Sequence, residues 1–258
     1  MMTSLRVFAN KYLGKSVMSR LRTVNSLVDD SRMGAARQRF YGQFVKQGSL
    51  CFDVGANVGN RIKPLQALGA RVVAVEPQQE CCRALEKRFG DSITIVGKGL
   101  GSQEEKRDFY VSDASTLSTF SSEWIETTGK TQRFEGYNWS DVRQIEITTL
   151  DALIAQYGVP DFIKIDVEGF EHEVVSGLSQ PVQMLSFEYA VPEYSHRLVD
   201  VLLSLQRIYN DKMQCNFAAG EEMKWQLSNW LTTDQMLAYI QTNDFVKSSS
   251  GDVYVRHM

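Results

Sequence analysis

The segment Cys51-Phe52-Asp53-Val54-Gly55-Ala56-Asn57-Val58-Gly59-Asn60 constrains the chain more than any other. A short apolar run ends in an acid, a glycine-bearing turn follows, and a helical stretch opens after it. This is how the first strand, loop and helix of an open parallel sheet read, with ligands bound beyond the carboxyl ends of the strands. Gly55 and Gly59 let the backbone bend sharply and let a ligand approach without Cβ interference.

The same rhythm continues downstream. Apolar runs at Arg71–Val75, Ser92–Val96, Asp161–Ile165, Met184–Tyr189, Met213–Phe217 and Asp252–Arg256 predict six further strands. Between them, helices are expected over Gln79–Phe89 and Leu150–Tyr157, from about Phe170, and over Tyr194–Ile208. Such alternation predicts βαβ units and a parallel sheet. Two more strands, Arg107–Ser112 and Gln144–Thr148, flank a polar insert, residues 113–143, that carries Trp124, Phe134, Tyr137 and Trp139. The insert is either a carbohydrate platform or an excursion whose aromatics pack on the core. Residues 1–48 read as a helical appendage, a lid or a dimerisation element, and residues 49–258 as the main domain.

The ligand follows by elimination. A dinucleotide fingerprint needs glycine at positions 57 and 60, and both are asparagine. A phosphate-cradling G-K-[ST] is missing as well, so a nicotinamide dehydrogenase or nucleotide hydrolase fits badly. S-adenosylmethionine carries no phosphate. It offers a carboxylate for backbone N–H groups and an ammonium for an acid such as Asp53. Glu76 ends the second strand, where one carboxylate accepts from both ribose hydroxyls. That residue marks a nucleoside and leaves the chemistry open.

Charge narrows the partners. Residues 1–49 hold nine Lys/Arg and two acids, a net +7, which leaves −10 for the rest of a chain whose net charge is −3. An acidic body argues against a nucleic-acid surface. The four cysteines show no C-x-x-C spacing and point to a reducing, cytoplasmic setting. No apolar run approaches the roughly 18 residues of a membrane span.

The motifs Asp53–Asn60, Val75-Glu76-Pro77 and Lys164-Ile165-Asp166-Val167-Glu168-Gly169-Phe170-Glu171 resemble those of the FkbM-type methyltransferases. Thr149-Leu150-Asp151, Phe187-Glu188 and Gly177 fit the same pattern over residues 49–190. The resemblance implies a Rossmann-like, doubly wound α/β methyltransferase fold of seven strands, mostly parallel with the last antiparallel. It implies S-adenosylmethionine as cofactor and O-methylation of a hydroxyl on a sugar, glycan or natural product. A non-catalytic S-adenosylmethionine-binding module and an N-methyltransferase stay open as alternatives, as does a homodimer formed through the N-terminal helices.

The expected cofactor site is Asp53, Gly55, Ala56, Asn57, Gly59, Asn60, Glu76, Pro77, Gly99, Leu100 and Asp166. For chemistry, strand ends select Asp166 and Glu168 after the fourth parallel strand and Glu188 after the fifth. Asp166 anchors the ammonium, acts as base, or both. Glu168 and Glu171, three apart, are expected on one face of the helix start. His172 is a candidate base by its pKa range, and His196 a weaker one. Asp166 and Glu188 are also positioned to share a divalent cation, for which the sequence supplies no third ligand.

Overall fold

The computed structural model describes residues 33–131 and 136–258. The expected helices before residue 33, and Phe134 of the insert, lie outside the described residues. In chain order the elements are α1 (33–41), β1 (Leu50–Val54), α2 (Ile62–Ala67), β2 (Arg71–Val75), α3 (Gln79–Phe89), β3 (Thr94–Val96), β4 (Gly99–Leu100) and β5 (Glu105–Val111). Then come α4 (Ser122–Gly129), β6 (Asp141–Thr148), α5 (Leu150–Tyr157), β7 (Phe162–Ile165), α6 (Glu171–Val175) and β8 (Met184–Ala190). The chain ends with α7 (Ser195–Ile208), β9 (Met213–Ala219), α8 (Thr233–Tyr239), α9 (Asn243–Val246) and β10 (Ser250–His257).

Seven strands form one sheet in the order β3-β2-β1-β7-β8-β10-β9. The first five are mutually parallel, and β10 runs antiparallel to both β8 and β9. The fold is therefore the doubly wound α/β sheet expected, with its last strand reversed. β1 leads to β2 on one side and borders β7 on the other, so the order switches direction beside β1. That switch opens a crevice at the strand ends.

Strands buried on both faces need apolar residues at successive positions. In β1, Phe52 and Val54 join one core and Cys51 the other. Leu150 and Leu153 of α5, Val174 of α6 and Leu198 and Leu202 of α7 cover the first face. Ile62 and Leu65 of α2, Leu85 of α3, and Phe40 and Tyr41 of α1 cover the second. Full burial of each such side chain contributes about 1.5–3 kcal/mol. The ring of Phe40 meets Tyr254 and that of Tyr41 meets Phe162, so α1 packs directly on the sheet.

The strands around the insert do not join this sheet. β6 pairs with β4 and β5 in a separate three-stranded sheet. The insert folds back from it. Ser121 caps α4 by accepting from the Trp124 N–H at 3.0 Å. Trp124 is buried against Leu117 and Tyr194 and meets Trp139 edge-on, while Trp139 Nε1 donates to the Leu117 carbonyl at 2.7 Å. Both indoles serve packing, which removes them from a carbohydrate platform.

Candidate active site

One cavity of about 270 Å³ opens at the switch point. Asp53, Gly55, Ala56 and Asn57 line it, with Asn60, Glu76, Pro77, Gly99, Leu100, Asp166 and Glu168. Residues expected from three separate motifs thus meet in one place. Glu188 lines it too.

Glu76 is set by two neighbouring loops. The Asn57 N–H donates to its Oε2 and the Gln78 N–H to its Oε1, both at 2.8 Å. Burial raises its pKa to about 7 against the pull of these donors. The insert closes over the same loops. Asn57 Nδ2 donates to Ser115 Oγ at 3.2 Å, and Gln78 Nε2 to the Ser115 carbonyl at 2.9 Å. Phe109 and Phe120 from this region, with Phe170 and Leu100, give the cavity an apolar wall.

Beyond β7 the chain turns through Glu168 at φ 54° and Gly169 at φ 86°. The helix begins only at Glu171, so Glu168 precedes it and shares no helical face with Glu171. Glu171 is buried, and its Oε1 accepts from the N–H groups of Val167 and Gly169, each at 3.2 Å. It braces the loop. Thr119 Oγ1 adds a bond to the Glu168 carbonyl at 2.7 Å.

Three candidate site residues fall elsewhere. His172 points away from the cavity, its Nε2 lying 3.2 Å from Ser204 Oγ on α7, because the short helix α6 packs that side against α7. Gly59 does not line the cavity; a Cβ there would meet Phe89 at 2.5 Å and Leu85 at 2.9 Å, so it makes room for α3 and not for a ligand. His196 pairs with Glu123 at 2.9 Å on the exposed surface.

Asp166, Glu168 and Glu188 form an acidic group whose oxygens lie within 4.8 Å of one another. Glu168, selected above for chemistry and not as a metal ligand, is the third carboxylate of the group. The cluster also has a cation built into the fold. Lys164 Nζ sits 3.1 Å from Asp166 Oδ2 and 2.9 Å from Asp252 Oδ1, and its side chain is 1% exposed. Burial opposes ionisation of Asp166, but the charges of Lys164 and Arg61 outweigh it and hold the pKa below the usual range. Glu188 goes the other way, pushed well up by burial and by the Asp166 and Glu168 charges.

Sequence reasoning passed over several of these groups. Lys164 was visible as the one charge in the strand Phe162-Ile163-Lys164-Ile165, and a lysine fully buried in a sheet must be paired. Arg37, Arg61 and Glu221 also line the cavity, and no local pattern announced them.

A doubly wound sheet in the order found, with a carboxylate after β2 and acids after β7 and β8, is a Rossmann-like α/β fold with an acid-lined cavity at its switch point. The family model described as the methyltransferase FkbM domain matches residues 53–244, and the chain belongs to that family. Its cofactor is S-adenosylmethionine. Comparison with curated proteins finds no match. Similar solved structures include a precorrin-6y C5,15-methyltransferase from Geobacter metallireducens GS-15, at 10% identity over 86% of each chain and a TM-score of 0.43. Another is a TehB-like SAM-dependent methyltransferase from Corynebacterium glutamicum, at 10% identity over 86% of this chain and 88% of that one, TM-score 0.42. A third is the plantazolicin methyltransferase BpumL with a desmethyl analog and SAH, at 9% identity over 92% and 89%, TM-score 0.41. Among the described residues no helix is long and apolar enough to cross a membrane.

Proposed function

We propose that this methyltransferase acts on oxygen, methylating a hydroxyl of a sugar, glycan or natural product. The observation that carries the reading is the gathering of Asp166, Glu168 and Glu188 in the cavity that also contains Glu76. The cofactor supplies an electrophilic methyl group. The chain must hold it, align the acceptor and take the acceptor's proton. In this reading the enzyme works in the cytoplasm, a setting that suits its four free, buried cysteines.

The cavity's donor set fits the cofactor. Each Glu76 oxygen accepts one backbone N–H and keeps lone pairs for a ribose hydroxyl. The apolar wall of Leu100, Phe109, Phe120 and Phe170 suits a purine. Asp53 Oδ2 and Asn60 Oδ1 are buried without a hydrogen-bond donor, and an ammonium supplies donors to both. Glu76→Ala is expected to weaken S-adenosylhomocysteine binding by at least about tenfold, since matched polar groups lose their partner. Calorimetry that returns wild-type affinity for this variant overturns the assignment.

The carboxylates divide the remaining work. Asp166, kept ionised beside Lys164, is a weak base and suits the ammonium. Glu188 binds a proton more tightly and suits the acceptor hydroxyl, a role for which Asp166, Glu168 and His172 were the sequence candidates; Glu168 lies beside both. Labelled methyl transfer to a panel of hydroxyl acceptors tests this. Glu188→Gln is expected to lower kcat by about 10²-fold with cofactor affinity kept. Asp166→Asn is expected to raise the cofactor KM with kcat nearly unchanged.

The pH profile has a definite sign. Protonated Glu188 cannot accept a proton, so kcat falls as pH drops through its raised pKa, above the ordinary glutamate value of about 4.3. In Asp166→Asn that limb moves to lower pH, because a repelling charge has gone and Lys164 acts more strongly. A Glu188→Gln variant with wild-type kcat transfers the base to Glu168. Methyl product found on amines and not on hydroxyls ends the O-methylation reading.

A further inference from the structure

Two arginines in the cavity share one carboxylate. Arg37 comes from α1 and Arg61 caps α2, and their side chains are 5% and 14% exposed. Arg61 grips Glu221 with both ends, Nη1 to Oε2 at 2.9 Å and Nη2 to Oε1 at 2.7 Å. Arg37 Nη2 donates to the same Oε2 at 3.2 Å. Glu221 is different in kind: its side chain is 52% exposed, and it stands on the loop just after β9. Two buried cations thus share an acid that has water within reach.

The same cavity holds the complementary shortage. Asp53 Oδ2 and Asn60 Oδ1 are buried acceptors with no donor. Asn60 adjoins Arg61 in sequence, and its carbonyl accepts from Arg37 Nη1 at 3.5 Å. Acceptors lacking a donor, next to guanidinium donors on a replaceable carboxylate, match an α-amino acid zwitterion. Planar guanidinium forks suit a carboxylate in bidentate geometry.

We infer that Arg61, with Arg37, is the seat of the cofactor's methionine carboxylate, and that Glu221 fills this seat as a displaceable internal competitor. The inference rests on the S-adenosylmethionine reading of the cavity. Its physical logic is asymmetric. Glu221 gives up its arginine bonds on leaving but moves into water, which solvates its charge. The buried arginines cannot follow, and a carboxylate from the ligand can take the place of Glu221 beside them. Arg61 and Arg37 hold the Glu221 pKa down to about 2 against the opposing effect of burial, so it competes at every assay pH. The loop after β9 then acts as a latch that the incoming cofactor opens.

Calorimetry on the full chain with two probes tests the idea: S-adenosylhomocysteine, and its decarboxylated analogue, which keeps the ammonium and lacks the carboxylate. Glu221→Gln keeps the shape and removes the competing charge. It is expected to bind S-adenosylhomocysteine about tenfold more tightly and to gain nothing for the analogue. Arg61→Met is expected to lose at least about tenfold for S-adenosylhomocysteine and to hold its affinity for the analogue. Should Arg61→Met fail to fold, the half-exposed Glu221 position decides alone. A Glu221→Gln variant that binds S-adenosylhomocysteine as the wild type does, or more weakly, overturns the inference, as does an equal change for both probes. A wild-type chain that binds neither probe overturns instead the reading of the cavity on which the inference rests.

Discussion

Gly55→Val is expected to abolish the folded state, and cofactor binding with it. Gly55 sits at φ 80°, a region that a β-branched residue enters only under strain. A Cβ built there lies 1.8 Å from the Asp166 carbonyl oxygen and 2.9 Å from its carbon. Neither partner can retreat. The Gly55 N–H donates to Val75 at 2.9 Å, and the Asp166 N–H to Val54 at 3.0 Å, so the loop and the end of β7 are stitched to the sheet on both sides. Backbone meeting backbone has no rotamer to yield. The expected cost exceeds about 4–5 kcal/mol, a large part of the roughly 5–15 kcal/mol that holds a domain together. Circular dichroism should show loss of the cooperative melt, and calorimetry no heat of binding. A glycine that only let a ligand approach would predict a blocked pocket in an intact fold. The crossing of the Asp166 carbonyl under Gly55 replaces that expectation, and Gly55→Ala should suffer the same clash. A variant that melts as the wild type does yet binds no cofactor would restore the earlier picture of a glycine facing the ligand.

The parts of this molecule that showed in the sequence are those written in local pattern. The helix over Gln79–Phe89 and the strands ending at Val75 and Ile165 follow from apolar spacing and from the acids that close the strands. Glu76, Asp166 and Glu188 follow from one rule about strand ends in a parallel sheet. What stayed hidden depends on contacts between distant segments. β4 is two residues long, too short for any periodicity, yet it joins β6 and β5 in a separate sheet. Arg37 and Glu221 lie 184 residues apart. His172 has the chemistry of a base, but one turn of helix decides whether it meets the cavity or Ser204, and sequence spacing does not carry that angle. The aromatic residues of the insert illustrate the same limit. The sequence left open whether they form a platform or pack on the core, and Trp124 and Trp139 meet edge-on in a cluster with Tyr194.

Lys164→Met is expected to destabilise the fold by about 3–5 kcal/mol, the usual cost of removing one partner from a buried ion pair. Methionine suits the space and the neighbouring apolar side chains, so packing alone would predict a mild effect. Charge decides otherwise. Lys164 touches Asp166 and Asp252 at once, and the Asp252 side chain is only 6% exposed. Burial already raises the Asp252 pKa even with the lysine present. Without the lysine Asp252 must bind a proton or stay charged in a poor medium, and its folded-state pKa rises further above the unfolded one. Such groups contribute stability that is fully present below the unfolded pKa and lost as pH rises through the folded one. The variant should therefore approach wild-type stability near pH 4 and fall behind steadily above it, a trend that thermal melts across pH would record. Adding Asp252→Asn should recover part of the loss, since one unpaired charge has gone and the two positions are in contact. The same change reaches the active site. With one of the two charges that hold Asp166 ionised gone, the cofactor KM should rise at neutral pH, and the double variant should not repair it. Equal stability of Lys164→Met and wild type at pH 8 would mean that the lysine fills space in the sheet and does not set the charge of Asp166.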